Sequence, residues 1–172
     1  MDLTGTILTG VDLSDMDLTG TRLTGAGLSY TKITGVDLSG KDLTGTILTG
    51  VDLSDMDLTG TRLAGADLSD ANLTGVDLTG QDLAETIFTN ANLENAILEN
   101  TNLIDANLDG ANLTNANLRN ALLIDADLSN AVLAGADLTN AVLTGAILTS
   151  ANLENAVLTG AILNCIGHPI CV

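Results

Sequence analysis

Apolar residues recur at every fifth position from Leu3 to Leu163. This series has 33 positions, all leucine except Ile33 and Phe88, and no insertion or gap interrupts it. A period of five fits neither an α-helix, where residues five apart are rotated by about 140°, nor a flat strand, where they alternate between faces. The pattern instead predicts a chain that bends once per repeat and buries each leucine on the same inner side.

The residues around each central leucine also predict a bend. The position two residues after the centre holds Gly in 16 repeats, Asn in 8 and Asp in 5. These residues tolerate the positive φ that the third residue of a type II turn requires. Thr or Ser usually follows the centre, and we expect its hydroxyl to bond nearby backbone groups. The residue two before the centre is small or modest in size, Ala through most of the second half and Thr, Val or Met in the first, and should point inward. Asp or Asn just before the centre should face water.

This A(D/N)LXX pattern, found for example at residues 66–70, 91–95 and 136–140, resembles the pentapeptide-repeat family over residues 1–165. The resemblance implies an all-β fold, a right-handed quadrilateral parallel β-helix with four pentapeptides per coil and about eight coils. Uninterrupted, Asn-rich repeats resemble cyanobacterial members, often of no assigned function. Other members confer fluoroquinolone resistance by mimicking DNA on gyrase.

We expect residues 1–164 to form one continuous solenoid, with two styles of repeat. Residues 2–23 are identical to residues 42–63, and glycine dominates the turn position up to Gly80 before asparagine becomes commoner. The region 81–90 is therefore a candidate junction of a duplication or fusion. Residues 165–172 abandon the repeat and are predicted to be a C-terminal capping tail.

If four repeats make one coil, residues 20 apart stack into outward columns. One column alternates in charge and predicts a ladder of surface ion pairs: Asp2, Arg22, Asp42, Arg62 and Asp82. Another, here called the acidic column, contains Asp17, Asp37, Asp57 and Asp77. Three interpretations of the acidic column are open. It is a solvated face produced by copying one repeat, a partner-binding face for a basic protein surface, or a row that loosely bridges divalent cations, although it lacks the converging ligands of a typical site.

The tail offers little evidence for a metal site. Cys165, His168 and Cys171 could supply three zinc ligands, but structural zinc normally has four. A disulfide between the two cysteines is sterically conceivable, although it is not expected to persist in a reducing cytoplasm. No cofactor or metal site is predicted.

The composition and charge of the chain argue against several classes of function. The net charge of −17 argues against direct binding to nucleic acid or to an anionic membrane, and the aromatic content of 1% argues against an aromatic-lined ligand pocket. A single histidine and the lack of a phosphate-binding glycine loop argue against an enzyme. With no leader or long apolar run at hand, we expect a cytoplasmic protein.

The sequence therefore predicts a non-catalytic rod that binds an unidentified protein partner. The alternative is an acidic DNA mimic that inhibits a DNA-binding enzyme such as DNA gyrase. A concentration of outward apolar residues near the C-terminal end also favours end-to-end self-association: Val132, Val142, Val157 and Ile162.

Overall fold

The computed structural model describes residues 1–171, which pair through isolated parallel bridges. Each bridge is a single residue pair, and the described residues contain neither a helix nor an extended strand. The bridges run from Asp2 with Arg22 to Ile147 with Ile166, and every one except the last joins residues 20 apart. Stacked residues are therefore separated by four pentapeptides.

The central apolar residues form one continuous interior. Every centre from Leu13 to Leu148 is at most 6% exposed, including Ile33 and Phe88. The centres nearest the two ends, such as Leu3 and Leu163, are partly buried and pack against the same cluster. This confirms the predicted burial of each leucine on one inner side, which contributes about 2 kcal/mol per leucine before the entropy cost of folding.

A backbone turn follows each central residue. At Leu113, for example, the carbonyl accepts a hydrogen bond from the Ala116 N–H at 3.0 Å, and Asn115 has φ of 56°. Within residues 1–171, the position two after the centre has positive φ in every repeat except those of Asp55 and Cys165, which confirms the turn prediction almost throughout. Asp15 has φ of 58° within the same local sequence as Asp55, so the neighbouring coils decide the difference.

The hydroxyl groups that follow the centres differ from the prediction. The Thr114 hydroxyl donates to Oδ1 of Asn112 at 2.6 Å, rather than to the backbone. The prediction was wrong here because the same Oδ1 also accepts the Thr114 N–H, at 3.2 Å, and so lies beside the hydroxyl. Hydroxyls that do bond the backbone lie two residues before a centre, as when Thr31 donates to the Leu28 carbonyl at 2.7 Å.

The backbone ladder between coils is uneven along the chain. For every bridged pair whose first residue lies between Asp67 and Val142, all the backbone hydrogen bonds to the next coil are present. An example is the bond from the Leu113 N–H to the Val132 carbonyl, at 2.7 Å. Several residue pairs earlier in the described part of the chain lack some or all of these hydrogen bonds. Alanine dominates the inward position two before the centre where the ladder is complete, whereas larger Met, Val and Thr residues are common in the first half. We infer that the smaller side chain lets the coils approach.

The C-terminal tail folds back onto the preceding coil. The Ile166 carbonyl accepts the Leu148 N–H at 2.8 Å, and a disulfide joins Cys165 to Cys171. The sequence had made this disulfide conceivable but unexpected. Val172, the last residue of the predicted tail, lies outside the described residues. No helix among residues 1–171 has the length and apolar character needed to cross a bilayer.

Candidate interaction faces

The 20-residue register gives the molecule four outward columns. The acidic column is one of them, and its four aspartates, Asp17, Asp37, Asp57 and Asp77, are all exposed. Residues just before the centres on the other columns pair at the same spacing, as Asp12 does with Lys32 and Asp52 with Asn72. The register thus places the four predicted residues at successive levels of one face.

Each aspartate of the acidic column is held by its own turn. The Thr19, Ser39, Thr59 and Thr79 N–H groups donate to the Oδ1 atoms of Asp17, Asp37, Asp57 and Asp77 at 2.8–2.9 Å. Hydrogen bonds from the Ser or Thr two residues later lower the pKa of all four carboxyl groups. The nearby Asp37 charge acts in the opposite direction on the pKa of Asp57, but it is the smaller effect. At neutral pH the column is therefore fully ionised.

Within residues 1–171, the backbone ladder is incomplete beneath the acidic column, as it also is at Leu23, Ile33 and Leu63 on other columns. Among the described residues, the N–H groups of Leu18, Leu38 and Leu58 have no carbonyl partner in the next coil. One coil further along the same face, the Leu78 N–H again donates to the Ile97 carbonyl, at 2.8 Å. Bulky side chains occupy the position two before the centre at these junctions: Val36 and Val76 are buried, Met56 is partly buried, and Met16 is 43% exposed.

One lysine partly compensates the acidic column. Lys41 Nζ donates to the Leu18 carbonyl at 2.9 Å, and its charge contributes to the lowered pKa of both Asp17 and Asp37. Lys41 lies two residues before a centre, where the repeat pattern predicts a small inward residue, so the pattern gives no indication of this contact. Asp57 and Asp77 have no such neighbour among the causes of their shifts.

The predicted ladder of alternating charges forms only in part. Arg62 contacts Asp42, which drives the pKa of Asp42 far below its usual range and raises that of Arg62. Within residues 1–171 no other neighbouring pair of that column lies within 4.0 Å. The prediction of a continuous ladder was wrong, because exposed ion pairs are weak and long side chains in water are free to move away.

A diagonal pairing forms on a different column of the molecule. Arg119 Nη1 lies 3.1 Å from Asp137 Oδ2, 18 residues along the chain. The same separation joins Asn117 to Glu99 and Asn92 to Thr74. The residue after one centre thus meets the residue before a centre in the next coil, a spacing that the sequence could have revealed.

The outward apolar residues near the C-terminal end do not form one patch. Val132 pairs with Asn112 and Asn152, and Val157 pairs with Asp137, so they lie on separate columns. Val142 and Ile162 pair with each other. The set chosen from the sequence is therefore divided among three of the four columns.

The family follows from a comparison with known repeats. The description "Pentapeptide repeats" matches in eight copies, over residues 2–29, 26–65, 42–75, 61–100, 86–125 and 126–164. The chain is a pentapeptide-repeat protein. Pentapeptide-repeat proteins are generally structural or interaction proteins rather than enzymes. No curated protein matches the chain.

Solved structures of pentapeptide-repeat proteins resemble this one. The protein Rfr23 from the cyanobacterium Cyanothece 51142 is 31% identical, with a TM-score of 0.59 over 71% of this chain and 91% of its own. HetL, a protein involved in heterocyst differentiation regulation in Nostoc sp. strain PCC 7120, is 30% identical, with a TM-score of 0.48 over 97% of this chain and 89% of its own.

A more distant structure shares the fold alone. A trypsin-treated form of QnrB1, a plasmid-mediated fluoroquinolone resistance protein, is 20% identical, with a TM-score of 0.54 over 91% of this chain and 90% of its own. The solved members fold as right-handed quadrilateral β-helices.

The part of the chain that the structure describes has no cluster of side chains that could bind a metal ion. Among residues 1–171, no group of three or more His, Cys, Asp or Glu side chains is placed to hold a metal ion. The cysteines that sequence reasoning considered as zinc ligands are bonded to each other.

Proposed function

We propose that this pentapeptide-repeat protein is a non-catalytic interaction rod whose acidic column binds a basic surface of a protein partner. The observation that carries this proposal is the ordered row of four ionised carboxylates, each fixed by its own turn and exposed to water. A fixed row of charges loses little conformational freedom on binding, which favours association with a rigid complementary surface.

The proposal includes the finer architecture. Residues 1–164 form one right-handed quadrilateral β-helix of about eight coils, and residues 165–172 cap it. The 20-residue register and the parallel bridges support this winding, and a right-handed sense is the usual one for parallel crossovers. The ladder is complete from the pair of Asp67 with Ile87 up to Val142. Ile87 lies within residues 81–90, which supports a junction there between two repeat styles.

Acidic-column variants test the partner-binding role. Asp17, Asp37, Asp57 and Asp77 are replaced together by Asn, which the chain itself uses as the turn cap at Asn117 of the same face. The matched control replaces four aspartates on other columns, Asp2, Asp52, Asp67 and Asp82. We expect proteins cross-linked by the wild type and the control, in the cell that encodes the chain, to be lost with the acidic-column variant. Identical cross-linked proteins for all three would overturn the proposal.

DNA mimicry is the second candidate function, and charge density favours it. Eight coils at the strand spacing give a rod about 40 Å long, so the net charge of −17 corresponds to about one charge per 2.4 Å. Duplex DNA has about one charge per 1.7 Å. The test is inhibition of DNA gyrase supercoiling by the purified protein and its acidic-column variant. Inhibition by the wild type only would support mimicry, and no inhibition at micromolar concentration would exclude it for gyrase.

Two further expectations belong with this proposal. End-to-end self-association through the C-terminal region predicts a mass that rises with concentration in analytical ultracentrifugation.

A cytoplasmic location predicts free thiols at Cys165 and Cys171 in freshly lysed cells, whereas disulfides are typical of oxidising compartments. Alkylation before denaturation, followed by mass spectrometry, distinguishes the two redox states.

A further inference from the structure

One face of the molecule has an apolar strip between residues 104 and 162. Leu122 pairs with Val142, and Val142 pairs with Ile162, so these three side chains stand at successive levels of one column. Leu122 is 38% exposed and Ile162 is 52% exposed. Elsewhere the residues on either side of a centre touch, as Thr114 and Asn112 do, so Ile104 and Ile124 extend the same strip. We call these five residues the apolar strip.

Polar residues border the apolar strip at both corners of its face. On one side, exposed Glu85, Asp105 and Asp125 occupy successive turns. On the other side, Asn120 Nδ2 donates to Asn100 Oδ1 at 3.1 Å, and the Asn140 side chain continues this ladder. An apolar centre with a polar rim is typical of protein interfaces, and here the rim is acidic along one edge only.

The backbone of this face is already satisfied by the ladder. The Leu103 N–H donates to the Leu122 carbonyl at 2.8 Å, and the Leu123 N–H donates to the Val142 carbonyl at 2.8 Å. An extended peptide laid on the strip would find no ladder to join and would leave its own backbone groups unpaired. A helix brings its hydrogen bonds with it, so this face favours a helical partner over an added strand.

The dimensions agree with one short helix. The strip covers four levels, about 20 Å with its side chains, and one face is about 10 Å wide. A helix of roughly 13 residues has that length and diameter. Such a contact covers about 200 Å² on each partner, far below the roughly 800 Å² per partner of a stable interface between folded proteins. Two rods joined by this strip alone would therefore not form a stable dimer.

We propose that the apolar strip binds a short amphipathic helix with an aliphatic face and Lys or Arg along the edge beside Glu85, Asp105 and Asp125. The charge of that rim selects the basic edge, and the aliphatic residues of the strip select the apolar face. This inference rests on the proposed interaction role but concerns a different face from the acidic column.

A synthetic helix of 14 leucine and lysine residues, with leucine at helical spacing, is the probe for this site. The test variant combines Leu122→Asn, Val142→Asn and Ile162→Asn, since Asn is the chain's own residue at this position of the repeat. The matched control combines Ile7→Asn, Ile47→Asn and Ile87→Asn, exposed apolar residues on a neighbouring column. Circular dichroism and thermal melting confirm that both variants fold.

Fluorescence anisotropy at physiological salt measures the affinity for the probe. We expect the strip variant to bind at least about tenfold more weakly than wild type and the control to bind within about twofold of it. Equal affinity for the strip variant, equal losses in both variants, or no binding to wild type at about 1 mM would overturn the proposal.

Two further arms separate the sources of binding. A leucine and glutamate peptide of the same pattern should bind at least about tenfold more weakly, and equal binding would contradict the basic edge. The Asn variant of the acidic column should bind the lysine probe as the wild type does, so the failure of either face is distinguishable. A concentration-dependent dimer that is lost in the strip variant would make a second copy the occupant and overturn the helical partner.

Discussion

At the scale of single residues, the position before each leucine has two roles. Asp52 accepts the Ser54 N–H at 3.1 Å, and Asn112 accepts the Thr114 N–H at 3.2 Å. Both residues therefore cap the turn through Oδ1, while only aspartate adds a charge. Surface charge can change from coil to coil without changing the turn, which explains how one repeat supports faces of different chemistry.

The Asp77 carboxyl tests this capping. The Thr79 hydroxyl and N–H, at 2.6 and 2.9 Å, lower the pKa of Asp77. We expect Thr79→Val to raise that pKa toward its ordinary value, because only the N–H donor remains. A ¹³C NMR titration of the side-chain carboxyl measures the change, and an unchanged pKa would contradict the capping role of the hydroxyl.

The lowered pKa also sets the sign of a pH effect. A carboxyl whose pKa is lower in the folded state than in the unfolded chain stabilises the fold above the unfolded value, near 4. This contribution is lost as the pH falls through the folded pKa. In Thr79→Val it becomes smaller, so the stability difference between wild type and variant should shrink below about pH 4.

The tail provides a second test at this scale. Gly167 has φ of 83°, and a Cβ there would lie 3.2 and 3.3 Å from backbone atoms of Thr149. Gly80 has φ of 68° and open space around it. We expect Gly167→Ala to destabilise the protein by about 1–3 kcal/mol more than Gly80→Ala, because only the first adds a steric clash to the backbone strain.

Urea unfolding of both glycine variants measures this difference. Faster hydrogen exchange at the Leu148 N–H, which bonds the Ile166 carbonyl, should accompany the loss in Gly167→Ala. Equal stability of the two variants would show that the tail is not docked on Thr149.

At the scale of the coil, the face that carries the acidic column lacks some backbone hydrogen bonds between coils in the first half of the described chain and has them in the second half. The Leu18, Leu38 and Leu58 N–H groups lack carbonyl partners within the described chain, whereas the Leu98 and Leu118 N–H groups bond at 2.7 and 2.8 Å. Because unpaired amides exchange more readily, we expect the first three to exchange at least about tenfold faster. Hydrogen exchange by NMR, residue by residue, makes the comparison.

Two outcomes of this exchange experiment are informative. Slow exchange at Leu38 with fast exchange at Leu98 would contradict the incomplete backbone ladder beneath the acidic column. If Leu18, Leu38 and Leu58 still exchange faster than Leu98 and Leu118 in the acidic-column Asn variant, repulsion between carboxylates is not the cause of the missing hydrogen bonds. The bulky residues two before the centres would then be the cause.

The interior of a coil is tested at Leu113. This residue is fully buried, so Leu113→Asp removes apolar burial and places a charge in the core, at a cost above about 3 kcal/mol. Because neighbouring coils depend on each other, we expect several coils to unfold. Asn112→Asp, one residue away and outward, is the control, and equal melting temperatures for the two variants would refute the inward register.

Much of this structure could be predicted from the sequence, for a physical reason. The five-residue period is uninterrupted, so the burial of Leu113 and the turn at Asn115 follow from local chemistry that every repeat shares. What the period could not predict depends on contacts between coils. Examples are the different turn at Asp55 and the contact of Lys41 with the Leu18 carbonyl.

At the scale of the whole molecule, the register converts a linear pattern into separate faces. The acidic column and the apolar strip arise from residues that are 20 apart in sequence and adjacent in space, so neither is a continuous sequence motif. A family comparison identifies the repeat, whereas the outward residues of this particular chain decide what each face can bind. The two faces can therefore be tested independently.

The register itself is the claim on which both faces depend, and a scalar coupling through a hydrogen bond measures it most directly. In isotope-labelled protein, we expect the Leu113 amide nitrogen to couple with the Val132 carbonyl carbon, since the hydrogen bond between these residues is 2.7 Å long. Coupling of Leu113 to a carbonyl four residues earlier, or to a carbonyl in another register, would contradict the stacking of residues in steps of four pentapeptides.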